Sequence, residues 1–257
     1  RGDVRTLAPD GGQYTHVIAG ATAASPVLNE GAPLEMFETI VDGTRRTLDF
    51  ARTAGAQRLL FVSSGAVYGR QPSELTHVPE SYAGAPDALS PSAAYGEGKR
   101  VGEFLCAQAS TGGLSTSVAR CFAFVGPHLP LDTHFAIGNF LRDALAGRDI
   151  IIKGDGTPMR SYLYASDLVV WLLHLLCAGE NRAAYNVGSG EDLSIAQLAG
   201  VIAKRYGSQV QVLGTPDPAK PRERYVPDVS KARVQLGLEP RVALETAIEK
   251  TARFYAP

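Results

Sequence analysis

The sequence is poor in the residues that would tie it to an oxidising compartment, a nucleic acid or a membrane. Its three cysteines, Cys106, Cys121 and Cys177, are unevenly spaced and form no C-x-x-C pair. That argues against a disulfide framework or a zinc site and points to small core residues in a reducing compartment. Charge of one sign is also missing. The 25 Lys+Arg stand against 26 Asp+Glu, and the net −1 is dispersed, which leaves no electrostatic footprint for nucleic acid or an anionic membrane surface. No apolar run is long enough to span a bilayer; the stretch 168–177 is interrupted by His174. Residues 1–10 contain no apolar core of a signal peptide. A soluble cytoplasmic protein is expected, with 257 residues for one large domain or two smaller ones.

Strand-like and helix-like segments alternate, the pattern of an α/β fold with a Rossmann-like parallel sheet and flanking helices. The pattern predicts strands over 15–20, 58–62 and 116–125, the second a nearly continuous apolar run suited to burial on both faces. Leu34, Phe37, Val41, Leu48 and Ala51 form the stripe of a helix over 33–54, with Gly55 placed for its C-terminal cap. A second helix is expected over 95–109. Later helices are expected over 136–146, 167–178, 194–206 and 242–255, and shorter strands over 149–153, 184–187 and 209–213. The helix over 167–178 is apolar nearly all round and therefore expected to be buried, with Trp171 in the core. Ser194 and Gln197 have the spacing of a capping box. The Pro-rich 215–221 reads as a loop.

The chemistry concentrates in Ser63-Ser64, at a strand end, and in Tyr95-Gly96-Glu97-Gly98-Lys99. Tyr95 and Lys99, four residues apart, share one face of a helix. An ammonium beside a phenol favours phenolate, and a serine hydroxyl nearby could bond the same substrate oxygen. Together they suit proton transfer to or from an alcohol or carbonyl while a hydride moves at carbon. Alone, Y-x-x-x-K is weak, since an exposed Tyr/Lys pair on a helix is usually surface decoration.

The context is more specific. Phe61-Val62-Ser63-Ser64-Gly65-Ala66-Val67-Tyr68-Gly69 followed by Tyr95-x-x-x-Lys99 closely resembles the extended short-chain dehydrogenase/reductase family, the NAD-dependent nucleotide-sugar epimerases and dehydratases. Further resemblances follow in order: Gly2-Asp3-Val4, Ala19-Gly20-Ala21, Gly43-Thr44, Arg120-Cys121-Phe122-Ala123-Phe124-Val125-Gly126-Pro127, Gly154-Asp155-Gly156-Thr157-Pro158-Met159-Arg160 with Asp167-Leu168, Tyr185-Asn186-Val187-Gly188, and Asp228-Val229-Ser230-Lys231-Ala232. The resemblance implies a partial dinucleotide-binding domain over 1–126. It implies a mainly substrate-binding region over 127–257, with a strand near 184–189 returning to the sheet. It makes Tyr95 the general acid/base, Lys99 the holder of the nicotinamide ribose, and Ser64 the partner of the sugar oxygen. Asp3, Val4, Ala19, Gly20, Ala21 and Ser63 would line the cofactor, NAD with NADP not excluded. Gly65, Ala123, Asn139 and Arg160, with Arg222 and Arg224, would face a nucleotide-sugar substrate; for the last two a solvated surface is an equal reading. Asp167 is expected to fix local structure. His128 and His134 flank a loop with no third ligand, so no metal site is expected. A homodimer through the helices over 33–54 and 95–109 is also implied.

The departures narrow the reading. No G-x-x-G-x-x-G follows a strand near the start, and Arg1 corresponds to a point after the family's first β-α-β-α-β stretch, so the segment that seats the pyrophosphate is expected outside these residues. Gly65 and Ala66 stand where 4,6-dehydratases carry an Asp-Glu pair, which disfavours dehydration and, likewise, decarboxylation. Ile40 and Ala123 each replace a common asparagine. The expected activity is C4 epimerisation of a nucleotide-linked hexose, with 4-ketoreduction as the alternative and 4,6-dehydration third. A non-catalytic nucleotide binder or an inactive fragment are the readings outside catalysis.

Overall fold

The structure, a computed structural model, describes residues 2–22, 26–133 and 135–256. In chain order the strands are β1 (His16–Ala19), β2 (Arg58–Ser64), β3 (Ser115–Cys121), β4 (Phe124–Val125), β5 (Ile150–Ile152), β6 (Met159–Ser161), β7 (Leu163–Tyr164), β8 (Ala183–Val187), β9 (Asp192–Ser194), β10 (Val210–Val212) and β11 (Arg224–Tyr225). The α-helices are α1 (Pro26–Gly31), α2 (Pro33–Thr53), α3 (Ala94–Ala109), α4 (Ala136–Leu145), α5 (Ala165–Ala178), α6 (Ile195–Tyr206), α7 (Ser230–Leu236) and α8 (Leu244–Tyr255).

The main sheet is parallel, in the order β1-β2-β3-β8. Its two-residue side-chain period sorts β2 between two cores. Leu59 and Phe61 pack with Leu48, Cys106 and Ala109 of α2 and α3, whereas Leu60 faces Trp171 and Leu175 of α5. Burial of these side chains is worth roughly 1.5–3 kcal/mol each. Close approach of α3 to β2 requires Gly102, because a Cβ there would run into the Phe61 ring. A separate core joins α4, α6 and α8 around Ile150 and Ile152 of β5. The Ser194–Gln197 capping box is formed at the start of α6. Gly55 follows α2 in the left-handed conformation at φ +75, as a C-terminal stop requires.

Three expectations are corrected. The run 116–125 is not one strand. Phe122 still donates its N–H to Val187 O, but the Ala123 carbonyl accepts from Leu163 N, so β4 leaves the sheet and pairs with β7. The helix α5 is not buried all round, because only one side meets the sheet: Trp171 and Leu175 are covered, while Val169, Val170 and Leu173 are half exposed. Cys177, on that same helix, is exposed and so is not a core residue. Among the described residues no helix is long and apolar enough to cross a membrane.

Candidate active site

Ser64 ends β2, and Tyr95 and Lys99 lie on the first turns of α3. The start of α3 is held from outside: Asn29 of α1 accepts from Tyr95 N at 3.0 Å and donates to Ser92 O at 2.9 Å. Ser64 Oγ accepts from Ala66 N at 3.2 Å and lies close enough to the Tyr95 phenol to favour its ionised form. Lys99, 2% exposed, donates Nζ to Val62 O at 2.7 Å and sits 5.9 Å from the Tyr95 ring centroid. Strand and helix thus bring the three catalytic candidates together.

The electrostatics differ from the simple pairing of phenol and ammonium. Burial pushes the Tyr95 phenol above its ordinary value, with the Ser64 hydrogen bond opposing it. The Lys99 ammonium, which donates to Val62 O, is desolvated as well. Burial holds Lys99 down at about 8 from an ordinary 10.5.

Ser63 points the other way. It shares the β2 face of Phe61 and donates to Glu103 Oε1 at 2.6 Å, and Glu103 pairs with Arg120 at 2.7 Å. Arg120 continues to the Tyr68 hydroxyl at 2.9 Å, and Tyr68 donates to Asn186 at 2.8 Å. This chain of buried and partly buried polar groups ties α3, β2, β3 and β8 together behind Ser64. Glu103, four residues beyond Lys99, continues the face that carries Tyr95 and Lys99.

The other candidates are distributed unevenly. At the end of β1, Ala19 is buried while Gly20 and Ala21 are exposed. Asp3 caps a short 3-10 turn over Val4–Thr6 and pairs with Arg5 at 2.6 Å. Val4 packs over Gly43 of α2, where a Cβ would lie 2.6 Å from Val4 Cγ1. Ile40 lies buried on the same helix against Gly98 of α3. A cavity of about 810 Å³ opens between the loop after Tyr68 and the segments around β6 and β11, with Arg70, Arg160, Lys220 and Arg224 in its lining. Arg160 pairs with Glu223 at 2.5 Å and Arg224 with Asp192 at 2.9 Å. Outside this lining lie Arg222, which is exposed, and two half-buried residues, Ala123 at the β3–β4 break and Asn139, whose Oδ1 accepts from Arg142 at 3.4 Å. Asp167 accepts the N–H groups of Arg241 and Val242 at 2.9 and 3.0 Å, a structural role. His128 rests on the Phe254 ring, centroids 4.5 Å apart, and His134 lies outside the described residues.

Sequence reasoning missed Tyr225, Arg70 and Glu103. Tyr225 Oη stands 3.5 Å from Ser64 Oγ and also lines the cavity. Gly65 leaves room for it, because a Cβ at that position would lie 2.8 Å from both Tyr225 Oη and the Phe122 ring. The local signal was slight: a tyrosine three residues before Asp228 in the closing D-x-S-K-A.

The comparisons with known proteins agree with this architecture. A family model described as "NAD dependent epimerase/dehydratase family" matches residues 2–188. A UDP-glucuronic acid decarboxylase 1 of Xenopus tropicalis is 34% identical over 236 residues, covering 91% of this chain and 55% of that protein. The chain therefore spans about half the length of such curated relatives. Among solved structures, the UDP-glucose 4-epimerase of Thermotoga maritima, crystallised with UDP-glucose, is similar at TM-score 0.78 and 25% identity, over 91% of this chain and 75% of that one. The fold of a Streptomyces venezuelae dTDP-glucose 4,6-dehydratase with NAD bound matches at TM-score 0.82 and 24% identity, over 99% and 78%.

Proposed function

Because the chain belongs to the NAD-dependent epimerase/dehydratase family, we propose that it contributes the acid–base half of a site that interconverts nucleotide-linked hexoses at C4. The observation that carries this is the Ser64–Tyr95–Lys99 cluster, in which a serine hydroxyl stands beside the phenol and a buried ammonium lies 5.9 Å from its ring. Tyr95 takes the proton from the C4 hydroxyl or returns it to the ketone, and Ser64 holds the same oxygen.

The residues present fit a dinucleotide at the carboxyl ends of β1 and β2. Ala19-Gly20-Ala21 offers a strip without bulky side chains, and Lys99 Nζ uses one of its donors on Val62 O, leaving others for ribose hydroxyls. When bound, NAD supplies the acceptor and donor of the hydride. Ser63 is committed to Glu103 and takes no part in this cradle. The basic lining of the cavity suits a sugar-nucleotide pyrophosphate, Arg160 and Arg224 bringing planar forks and Arg70 and Lys220 further charge. We assign a homodimer contact to α2 and α3, whose outer faces expose Leu34 and Phe104.

Epimerisation is preferred over 4,6-dehydration because Gly65 and Ala66 carry no carboxyl group and Tyr225 with Phe122 fills the space above Gly65. Ketoreduction uses the same residues and differs in consuming the reduced cofactor. Decarboxylation is a second reading, favoured by the decarboxylases among the relatives and opposed by the same absent carboxylates. The test is a screen of UDP-, dTDP-, GDP- and CDP-linked hexoses with NAD, read by NMR, with Tyr95→Phe alongside. C4-epimerised product from the wild type and none from the variant is expected. Pentose and carbon dioxide from UDP-glucuronate would replace the proposal with the second reading.

A further inference from the structure

We propose that Tyr225 is a substrate-contacting residue of this site, donating its phenol hydrogen to a sugar hydroxyl beside the reacting carbon and making that hydroxyl a condition of turnover. The inference rests on the nucleotide-hexose reading above and adds a residue and a specificity to it.

Two features of the molecule meet at Tyr225. It lines the basic cavity, and its hydroxyl hydrogen-bonds Ser64, the serine beside the Tyr95 phenol. A sugar whose diphosphate lies among Arg160, Arg224 and Lys220 must pass this phenol to place C4 between Ser64 and Tyr95. The ring is fixed for such a role. It stacks on Phe122 with centroids 4.7 Å apart, and its backbone pairs with Arg160 across β11 and β6. The hydroxyl, by contrast, is weakly engaged. Its distances to Ser64 Oγ and Cys121 O are both 3.5 Å, the outer limit of a hydrogen bond, so a substrate oxygen at ordinary distance would be the better partner. Gly65 keeps the position open, since a side chain there would collide with the phenol oxygen.

Burial keeps the Tyr225 phenol protonated, well above its ordinary value. It donates a hydrogen bond, and the proton transfer is left to Tyr95, which has the Lys99 ammonium 5.9 Å from its ring. The hydroxyls nearest C4 are the one on C3 and the one on C6, which C5 carries. A site built to bond a hydroxyl discriminates strongly against the analogue that lacks it, because the buried donor is then left unpaired.

The experiment takes the full-length protein with NAD and the nucleotide hexose that the wild type turns over fastest among the UDP, dTDP, GDP and CDP series. Its 3-deoxy and 6-deoxy forms are run beside it. Tyr225→Phe keeps the ring on Phe122 and removes only the hydroxyl. Its kcat/KM on the parent sugar is expected to fall about five- to fifty-fold, with no further loss on one of the two deoxy forms, and binding of the bare nucleoside diphosphate unchanged. Phe122→Leu, which loosens the ring without touching the hydroxyl, reports on structure alone and is expected to lower parent and deoxy sugars alike. Equal losses for Tyr225→Phe on all three sugars, or no loss on the parent, would overturn the proposal while leaving the C4 reading intact. A wild type that turns over no nucleotide hexose would overturn both.

Discussion

Lys99→Met separates what the site costs the fold from what it does. Lys99 is buried with its ammonium held at about 8, against 10.5 in the unfolded chain. While charged, it therefore costs folding about 3 kcal/mol. Methionine of similar length removes that cost but leaves Val62 O without its donor, a loss of about 1–2 kcal/mol. The variant is expected to be more stable at pH 7 by about 1–2 kcal/mol, a rise in melting temperature of about 2–8 °C for a domain of this size. The pH dependence carries the sign. Between pH 8 and 10.5 the folded chain binds fewer protons at Lys99 than the unfolded chain, so wild-type stability from this residue rises with pH through that window. The advantage of methionine is full below pH 8 and gone above 10.5. Calorimetric melting of both proteins at pH 7 and pH 10.5, with turnover measured in parallel, checks this. A variant less stable at pH 7, or an advantage unchanged at pH 10.5, would refute the reasoning; the variant is expected to lose turnover.

Other perturbations test neighbouring parts of the account. Glu103→Gln leaves the partly buried Arg120 without its carboxylate and should cost about 1–3 kcal/mol in urea unfolding, whereas the double change Glu103→Leu with Arg120→Met should cost less. Gly65→Asp should not create 4,6-dehydratase activity, because the side chain meets Phe122 and Tyr225; overpacking should lower stability by about 1–3 kcal/mol, read by melting and a product assay. Asn29→Ala removes the bonds that hold Tyr95 N and Ser92 O and should lower kcat more than KM, with about 1 kcal/mol lost from stability. Phe104→Glu on the outer face of α3 should yield monomers in sedimentation if the dimer uses that face.

The main sheet was legible because its strands carry their own signal. Leu59-Leu60-Phe61 is buried on both faces, and α2 advertises its stripe and its Gly55 stop. Ser64, Tyr95 and Lys99 could be placed together because one ends a readable strand and two share a helical face. What was hidden depends on contacts between distant segments. The strands β6, β9 and β11 are two or three residues long and exist because Met159 meets both Ser194 and Arg224. Tyr225 reaches Ser64 only through that pairing, so no local pattern marked it. The face of α5 was misread for a related reason: composition says that Val169, Val170 and Leu173 are apolar, but only packing says which side the sheet covers. Spacing placed Tyr95 and Lys99 side by side but could not show how strongly burial acts on both, raising the phenol and lowering the ammonium.

The central claim is hydride transfer at C4 with Tyr95 as the proton carrier. It is tested most directly by supplying UDP-glucose deuterated at C4, with NAD, to the wild type and to Tyr95→Phe. The account predicts C4-epimerised product that retains its deuterium from the wild type, with no net reduced cofactor, and no product from the variant. A 4-keto-6-deoxy sugar that has exchanged solvent hydrogen at C5, or equal turnover by the variant, would contradict it.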